Sequence, residues 1–335
     1  MSAPTERKPP GPWRLALSDL RRNRWAMASA ALFGLIVLAC VLAPLYAHQI
    51  AHTDPFTSNV SGTTVVDGQS VPVLHQSTTG LGLGVTPIGP TWHFSHDLLG
   101  VDNQGRDVMA RLLYGGRSTL YIGLASAAIS CLLGAILGVL AGYCGGVVDA
   151  LIARTLDIVW AFPVYLLAIC MSVVLLTSGL DLGIVHVGAD SMVLPLLVIA
   201  LIYVPYVARP IRGEVLALRN KEFIQAAVCS GASSARIMRR EVVPSVLPTL
   251  LVFLPLMASL TMLTEAALSF LSVGVQPPNA SWGTIVQDGV ALIYTRPAVT
   301  LAPGIALALT AAALNVFGDG MRDALDPAAK IRGGA

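Results

Sequence analysis

The residues able to do chemistry in this 335-residue chain are few and scattered. Its three lysines are Lys8, Lys221 and Lys330. None precedes Ser or Thr, so the Gly-rich, Lys-bearing loop that cradles nucleotide phosphates is missing. The sequence holds no G-x-S-x-G elbow and no H-E-x-x-H pair. The histidines are His48, His52, His75, His93, His96 and His186. His48/His52 and His93/His96 have spacings that would suit a transition metal on a helix, but without a supporting cysteine they read as solvated loop residues. Cys40, Cys131, Cys144, Cys170 and Cys229 lack redox-pair or zinc-knuckle spacing and read as small packing residues. The expectation is therefore no catalytic residue, no metal site and no cofactor on this chain.

Composition says where such a chain lives. Hydrophobic residues make up 55% and charged residues 12%, about half the charge of a soluble domain, and the mean hydropathy is +0.71. So few charges cannot cover a soluble protein of this size. A net charge of +2 gives no basis for nucleic-acid binding. The chain reads as an all-α membrane protein whose partner is the lipid bilayer. A bilayer core asks for about 20 apolar residues per span. Six stretches qualify: residues 25–47, 118–143, 150–177, 191–206, 246–273 and 298–317. The fourth is the shortest and carries Pro195 and Pro205. The first is too long for a signal-peptide core, and Pro44 and Tyr46 make a poor cleavage site, so it is expected to stay as an anchor.

Charge sets the orientation. Of 21 Lys and Arg residues, Arg106, Arg111, Arg117 and Arg296 fall on one side and the rest on the other. The positive-inside rule then puts both termini in the cytoplasm, together with the segment joining the fourth and fifth spans. Residues 1–24 form a cytoplasmic tail in which Trp13, Leu15, Leu17 and Leu20, interleaved with Arg14, Asp19 and Arg21, predict a short interfacial helix. Residues 48–117 form an external segment, whose stretch 52–89 is rich in Thr, Ser, Gly and Val with turn signals at Asp67-Gly68 and Gly89-Pro90; a small β-rich or irregular cap without its own core is expected. Residues 118–317 form the transmembrane core, and 318–335 a cytoplasmic tail. Gly134, Gly138 and Gly142 make a small-residue stripe that lets another helix approach closely, most simply within the chain. Among the sparse intramembrane charges, Arg154 and Asp157 are spaced to pair on one helical face.

The cytoplasmic segment 209–244 has the most specific pattern. Residues 222–230 predict a short helix, Gly231 its left-handed cap, and Ser233 or Ser234 the start of a second helix through Arg240, with Pro244 as the stop before the fifth span. Ala226, Ala227 and Gly231 leave room for another surface to come close.

This segment resembles the E-A-A-x-x-x-G coupling loop of ABC-importer permeases. The match is Gln225-Ala226-Ala227, Gly231 and the distal Pro244, with Gln225 replacing the usual Glu; Glu222-Phe223-Ile224 is similar to the version in peptide permeases. Likeness to the second permease subunit of dipeptide, oligopeptide and nickel importers extends along nearly the whole chain. It includes His96-Asp97-Leu98-Leu99-Gly100-Val101-Asp102, Gly105-Arg106-Asp107-Val108, Ala141-Gly142-Tyr143, Ala161-Phe162-Pro163, Glu265-Ala266-Ala267-Leu268-Ser269, Gln276-Pro277-Pro278 and Gly318-Asp319-Gly320. The insert 52–92 is longer than in most such proteins.

The resemblance implies a type I importer permease with six transmembrane helices, sited in a bacterial cytoplasmic membrane. It implies a homologous permease subunit, two cytoplasmic ATPase subunits that carry the ATP and Mg, and an extracytoplasmic solute-binding protein. Glu222, Gln225, Ala226, Ala227, Gly231 and Pro244 are its expected ATPase-coupling residues. Asp157, Phe162, Pro163, Glu265 and Ser269 are candidates for pore or gate. Di- and oligopeptides are the leading solutes, nickel or another small solute the alternative, and a stand-alone channel or secondary carrier the reading from another class.

Overall fold

The computed structural model describes residues 12–66, 69–76, 84–92, 96–181, 183 and 186–325. The expected turn at Asp67-Gly68, the pair formed with His93, and most of the C-tail lie outside them. Helix α1 (Pro12–Arg22) exposes Trp13, Leu15 and Leu17 beside Arg14, Arg21 and Arg22, as the interfacial reading expects. Asn23 ends it and caps α2 (Arg24–Val41): its side-chain oxygen accepts from the N–H groups of Trp25 and Ala26 at 3.1 and 3.2 Å. A short α3 (Ala43–Leu45) and a π-helical turn (Tyr46–Ile50) lead into the external segment. His52 has φ +48°, so it does not continue the helix that an i, i+4 histidine pair would need.

The segment between the π-helical turn and the next long helix carries four short strands. Strand β1 (Thr63–Val66) pairs antiparallel with β2 (Gln69–Pro72), and β3 (Leu74–Gln76) with β4 (Val85–Pro87). Then comes α4 (Val108–Cys144), ten residues longer at its outer end than the apolar run alone. The third span is broken: α5 (Gly146–Trp160) and α6 (Val164–Ser178) meet at 88° across Ala161, Phe162 and Pro163. Pro163 opens α6 and has no N–H to continue the ladder of α5. A two-residue ladder of β5 (Leu180–Asp181) and β6 (His186–Val187) follows. Helix α7 (Val193–Arg219) runs on through Pro205 and Pro210, far past the expected end at residue 206.

Helices α8 (Glu222–Cys229) and α9 (Ser234–Ile237) lead through a π-helical turn (Met238–Val242) into α10 (Val243–Phe270). Pro244 does not stop a helix here. It sits in the first turn of α10, where the ring needs no partner for its missing N–H, so the chain from Ser234 to Phe270 is one rod. Helices α11 (Trp282–Gly289) and α12 (Ala298–Leu325) follow. Among the described residues five helices are long and apolar enough to cross a membrane, and the bent pair α5–α6, counted as one span, makes six.

The core is built on α4 against α7. A Cβ added at Gly134, Gly138 or Gly142 would lie 2.6, 2.7 or 2.8 Å from Val207, Ala208 or Val215, so the small-residue stripe packs within the chain. At that approach the hydroxyls of Ser126 and Ser130 donate to the carbonyls of Leu196 and Ala200 at 2.8 and 2.7 Å. The same closeness joins α4 to α10, where the Thr261 hydroxyl donates to the Gly123 carbonyl at 2.8 Å. Cys40 and Cys131 are buried packing residues as expected, whereas Cys144, Cys170 and Cys229 are exposed. For those three, helix ends and lipid-facing surface replace a packed environment.

An ionic clasp closes the outer end. Buried Asp102 accepts from Arg106 Nε at 2.8 Å and from Arg111, and both guanidinium groups also reach Asp288 of α11, at 3.0 and 2.9 Å. Asp107 caps α4 by accepting from Ala110 N–H at 2.8 Å and holds Asp97 N–H at 2.8 Å. Trp282 is fully buried, its indole N–H donating to the Leu112 carbonyl at 2.9 Å. Burial pushes the carboxyls of Asp97 and Asp107 above the usual carboxylate range, and the charge of Asp97 adds to the rise at Asp107.

Two outcomes are expected. Gly138→Leu should destabilise the helix pair by about 1–3 kcal/mol through overpacking, read as a lower unfolding temperature in detergent. Gly34→Ala, with nothing within 4 Å of the added Cβ, should be close to neutral. For Asp97 the raised folded pKa favours the neutral form. Its stabilising contribution is full below the unfolded value of about 3.9 and is lost as pH rises through the folded value. Asp97→Asn, which also suits the φ of +59°, should raise the unfolding temperature at pH 7 and lose that advantage near pH 4. An equal effect at both pH values would exclude the carboxyl as its source.

Candidate functional site

The segment joining α7 to α10 is a helix, a left-handed turn and a second helix. Lys221, extended, precedes α8, and Ser230 ends it. Ala232 N–H then donates to the Ala227 carbonyl at 3.1 Å, and Gly231 N–H to the Val228 carbonyl at 3.0 Å. This is a Schellman cap, with Gly231 at φ +76° in the position that disfavours a side chain. Nothing lies within 4 Å of a Cβ at Gly231, so the glycine is required by the backbone and not by crowding. Ser233 precedes α9 as expected, although its side chain makes no capping bond.

Two residues tie α8 to the body. Ile224 is 2% exposed and joins the same apolar cluster as Ile237, Val242 and Val215, and half-buried Ala227 packs against that cluster. Around it, Glu222, Phe223, Gln225, Ala226 and Val228 are exposed and Ala227 is half-buried. The helix therefore turns one isoleucine inward and presents a low, partly apolar surface outward. A cleft of about 650 Å³ beside it is lined by Tyr143 and Cys144 from the end of α4 and by Gln225, Val228 and Cys229 from α8.

The other candidate residues fall into two groups at opposite ends. Asp157, Phe162 and Pro163 lie at the α5–α6 bend. The expected Arg154–Asp157 pair is a long 4.0 Å contact of exposed groups. Asp157 is held instead by Arg209 of α7, at 2.6 Å. Arg209 also stacks over Trp160 at 4.4 Å from the ring centroid, and Trp160 packs on Tyr206 at 4.4 Å. A second pair, Arg212 with Asp149, is bidentate at 2.5 and 2.7 Å. Sequence reasoning missed Arg209, Arg212, Trp160 and Tyr206. The available signal was that Arg209 is the first charge after an apolar span and Asp157 the last acid before Pro163. Phe162 is about half exposed and lines an apolar cleft with Leu133, Leu137, Leu167 and Met171.

Glu265 and Ser269 behave differently. Both are 0% exposed, sealed between α10 and the outer elements. The Ser269 hydroxyl donates to Glu265 Oε1 at 2.7 Å, and Ser269 Oγ accepts from Val275 N–H at 3.0 Å. Thr119 of α4, which accepts from Trp282 N–H at 3.1 Å, and Ser281 at the start of α11 lie against the same carboxyl. This is a brace joining α4, α10 and α11, not an open surface. Among the described residues, no three His, Cys, Asp or Glu side chains are grouped as a metal would require.

Comparison with known proteins accounts for this arrangement. Residues 134–331 match the family described as the binding-protein-dependent transport system inner membrane component. Residues 11–61 match the N-terminal TM domain of oligopeptide transport permease C. A putative peptide transport system permease protein of Brucella suis is 41% identical over 236 residues, covering 70% of this chain and 75% of that protein. The oligopeptide transport system permease protein OppC of Haemophilus influenzae is 32% identical over 94% of this chain and 88% of its own length. The glutathione transport system permease protein GsiD of Pectobacterium atrosepticum is 37% identical over 69% of this chain and 73% of its own. A solved structure of the MetNI methionine ABC transporter in inward-facing form superposes with a TM-score of 0.54 at 18% identity, over 65% of this chain and 97% of that one. That likeness concerns the fold. Taken with the rods, the bent span and the capped coupling helix, these matches place the chain in the family of inner-membrane components of binding-protein-dependent transport systems.

Proposed function

We propose that this chain is one half of the pore of an ATP-driven importer of short peptides. The observation that carries the reading is the outward face of α8: a helix pinned by Ile224, closed by Gly231 and offering Ala226, Ala227 and Val228 to a partner. A homologous permease completes the pore. Two cytoplasmic ATPase subunits, which hold ATP and Mg, receive α8, and an extracytoplasmic binding protein delivers the solute. Both termini are cytoplasmic and the membrane is the bacterial inner membrane. The peptide solute is supported by relatives whose names state oligopeptide, dipeptide or glutathione transport.

Force on α8 passes through Ile224 into the inner ends of α7 and α10, because α8 lies between them in the chain and packs into their cluster. Glu222, Gln225, Ala226, Ala227 and Gly231 form the contact surface, and Pro244 fixes the first turn of the rod that carries motion outward. At the α5–α6 bend, Asp157 and Arg209 latch the inner mouth, with Phe162 and Pro163 at the hinge. Glu265 and Ser269 brace the outer end against which the rod pivots. No atom of this chain does covalent chemistry; its work is differential binding of two conformations.

Ala227→Arg should place a long charged side chain in the docking face. Binding-protein-stimulated ATP hydrolysis and uptake in proteoliposomes should then fall at least tenfold, while the chain still reaches the membrane. Full transport would remove α8 from the coupling role. Arg209→Ala breaks a half-exposed latch worth about 1 kcal/mol. It should raise ATP hydrolysis without solute about fivefold, and unchanged basal hydrolysis would show that the pair is no latch.

A further inference from the structure

The inner ends of α7, α10 and α12 do not close on one another. A cleft of about 540 Å³ lies between them, lined by Glu214 of α7, Ser245, Pro248, Thr249, Val252, Phe253 and Leu256 of α10, and Arg322 and Leu325 of α12. Its volume is in the range of small-molecule sites, about 300–1,000 Å³. It sits at the coupling-helix end of the molecule, since α7 ends and α10 begins there. Among the described residues, neither Glu214 nor Arg322 takes part in an ion pair, with one another or with any other group. Half-buried Glu214 and exposed Arg322 thus offer one carboxylate and one guanidinium, unpaired among the described residues, on the walls of a single cleft, beside the apolar surface of Val252, Phe253 and Leu256.

That set of groups complements a small zwitterion with an apolar side chain. A guanidinium takes a carboxylate in fork geometry, a carboxylate takes an ammonium, and Phe253 with Leu256 takes the side chain. We propose that the cleft is a cytoplasmic product site for a short zwitterionic peptide, and that occupancy slows further import. The site is wedged between the two rods that flank α8. A ligand there favours the arrangement in which the rods stand apart and opposes any state that brings them together. The identity of the zwitterion as a peptide rests on the importer reading above.

The test uses the complete transporter in lipid nanodiscs without its binding protein, with radiolabelled alanyl-phenylalanine as the probe. Saturable binding is expected. It should weaken at least tenfold in Glu214→Gln and in Arg322→Gln, with co-purification of the ATPases reporting that each variant assembles. N-acetyl-alanyl-phenylalanine amide, which lacks both charges, should not compete. In proteoliposomes, the dipeptide sealed on the cytoplasmic side should slow uptake by the unmodified protein at least twofold and leave both variants unaffected. Binding that survives both substitutions, or the absence of saturable binding at 10 mM (about the weak limit for a functional site), overturns the proposal. A transporter that binds the dipeptide here but imports no peptide would overturn the importer reading and leave this site standing.

Discussion

Everything in this molecule hangs on how closely α4 and α7 approach. At Gly134, Gly138 and Gly142 the facing backbone and β-branched side chains leave less than 3 Å for an added carbon. In a bilayer the lipid tails offer no hydrophobic reason for two helices to associate. Close contact and the hydroxyl-to-carbonyl bonds of Ser126 and Ser130 replace it. Once this pair is rigid, α7 can carry two interior prolines, Pro205 and Pro210, without breaking. Its inner end is then a fixed point from which the coupling helix can be hung. The long rod from Ser234 to Phe270 packs on α4 in the same way, through Gly123 and Thr261.

The two ends of the molecule are built differently from that centre. The outer end is sealed by charge and burial together: Arg106 and Arg111 bridge Asp102 and Asp288, and Glu265 is locked under Ser269. Removing one partner of such a network leaves an uncompensated buried charge, so it holds as a unit. The opposite end is held by a half-exposed pair, Arg209 with Asp157, and by the more covered, bidentate pair of Arg212 with Asp149. An exposed pair contributes about 0–1 kcal/mol, so the Arg209–Asp157 contact is the weaker of the two.

Much of this was legible along the chain because it is local. A small-residue stripe, a glycine one residue past a predicted helix end and a run of Thr, Ser and Val each depend on neighbours a few positions away. They gave the helix pair, the Schellman cap and the β-rich cap. Pro163 marked a break but not its size, because 88° is set by what α5 and α6 pack against. Pro244 was misread as a stop since a proline at the end of one helix and at the first turn of the next look alike. The ionic contacts were the least legible. Arg209 meets Asp157 and Arg111 meets Asp288 across 52 and 177 positions. Within the sequence, Arg154 was the nearer partner for Asp157, and the fold preferred the farther one. Glu265 and Ser269 sit on the packed face of α10, and a pattern that marks that face does not distinguish a sealed brace from a pore wall.

The central claim is that α8 is the surface through which the ATPase subunits act. Hydrogen exchange of the amides from Glu222 to Ala232 tests it directly, comparing the permease pair alone with the pair bound to its ATPases. Exchange at Phe223–Cys229 should slow strongly on assembly, with no change at the outer segment around Asp102 and Arg106. Equal exchange at α8 in the two states would contradict the account.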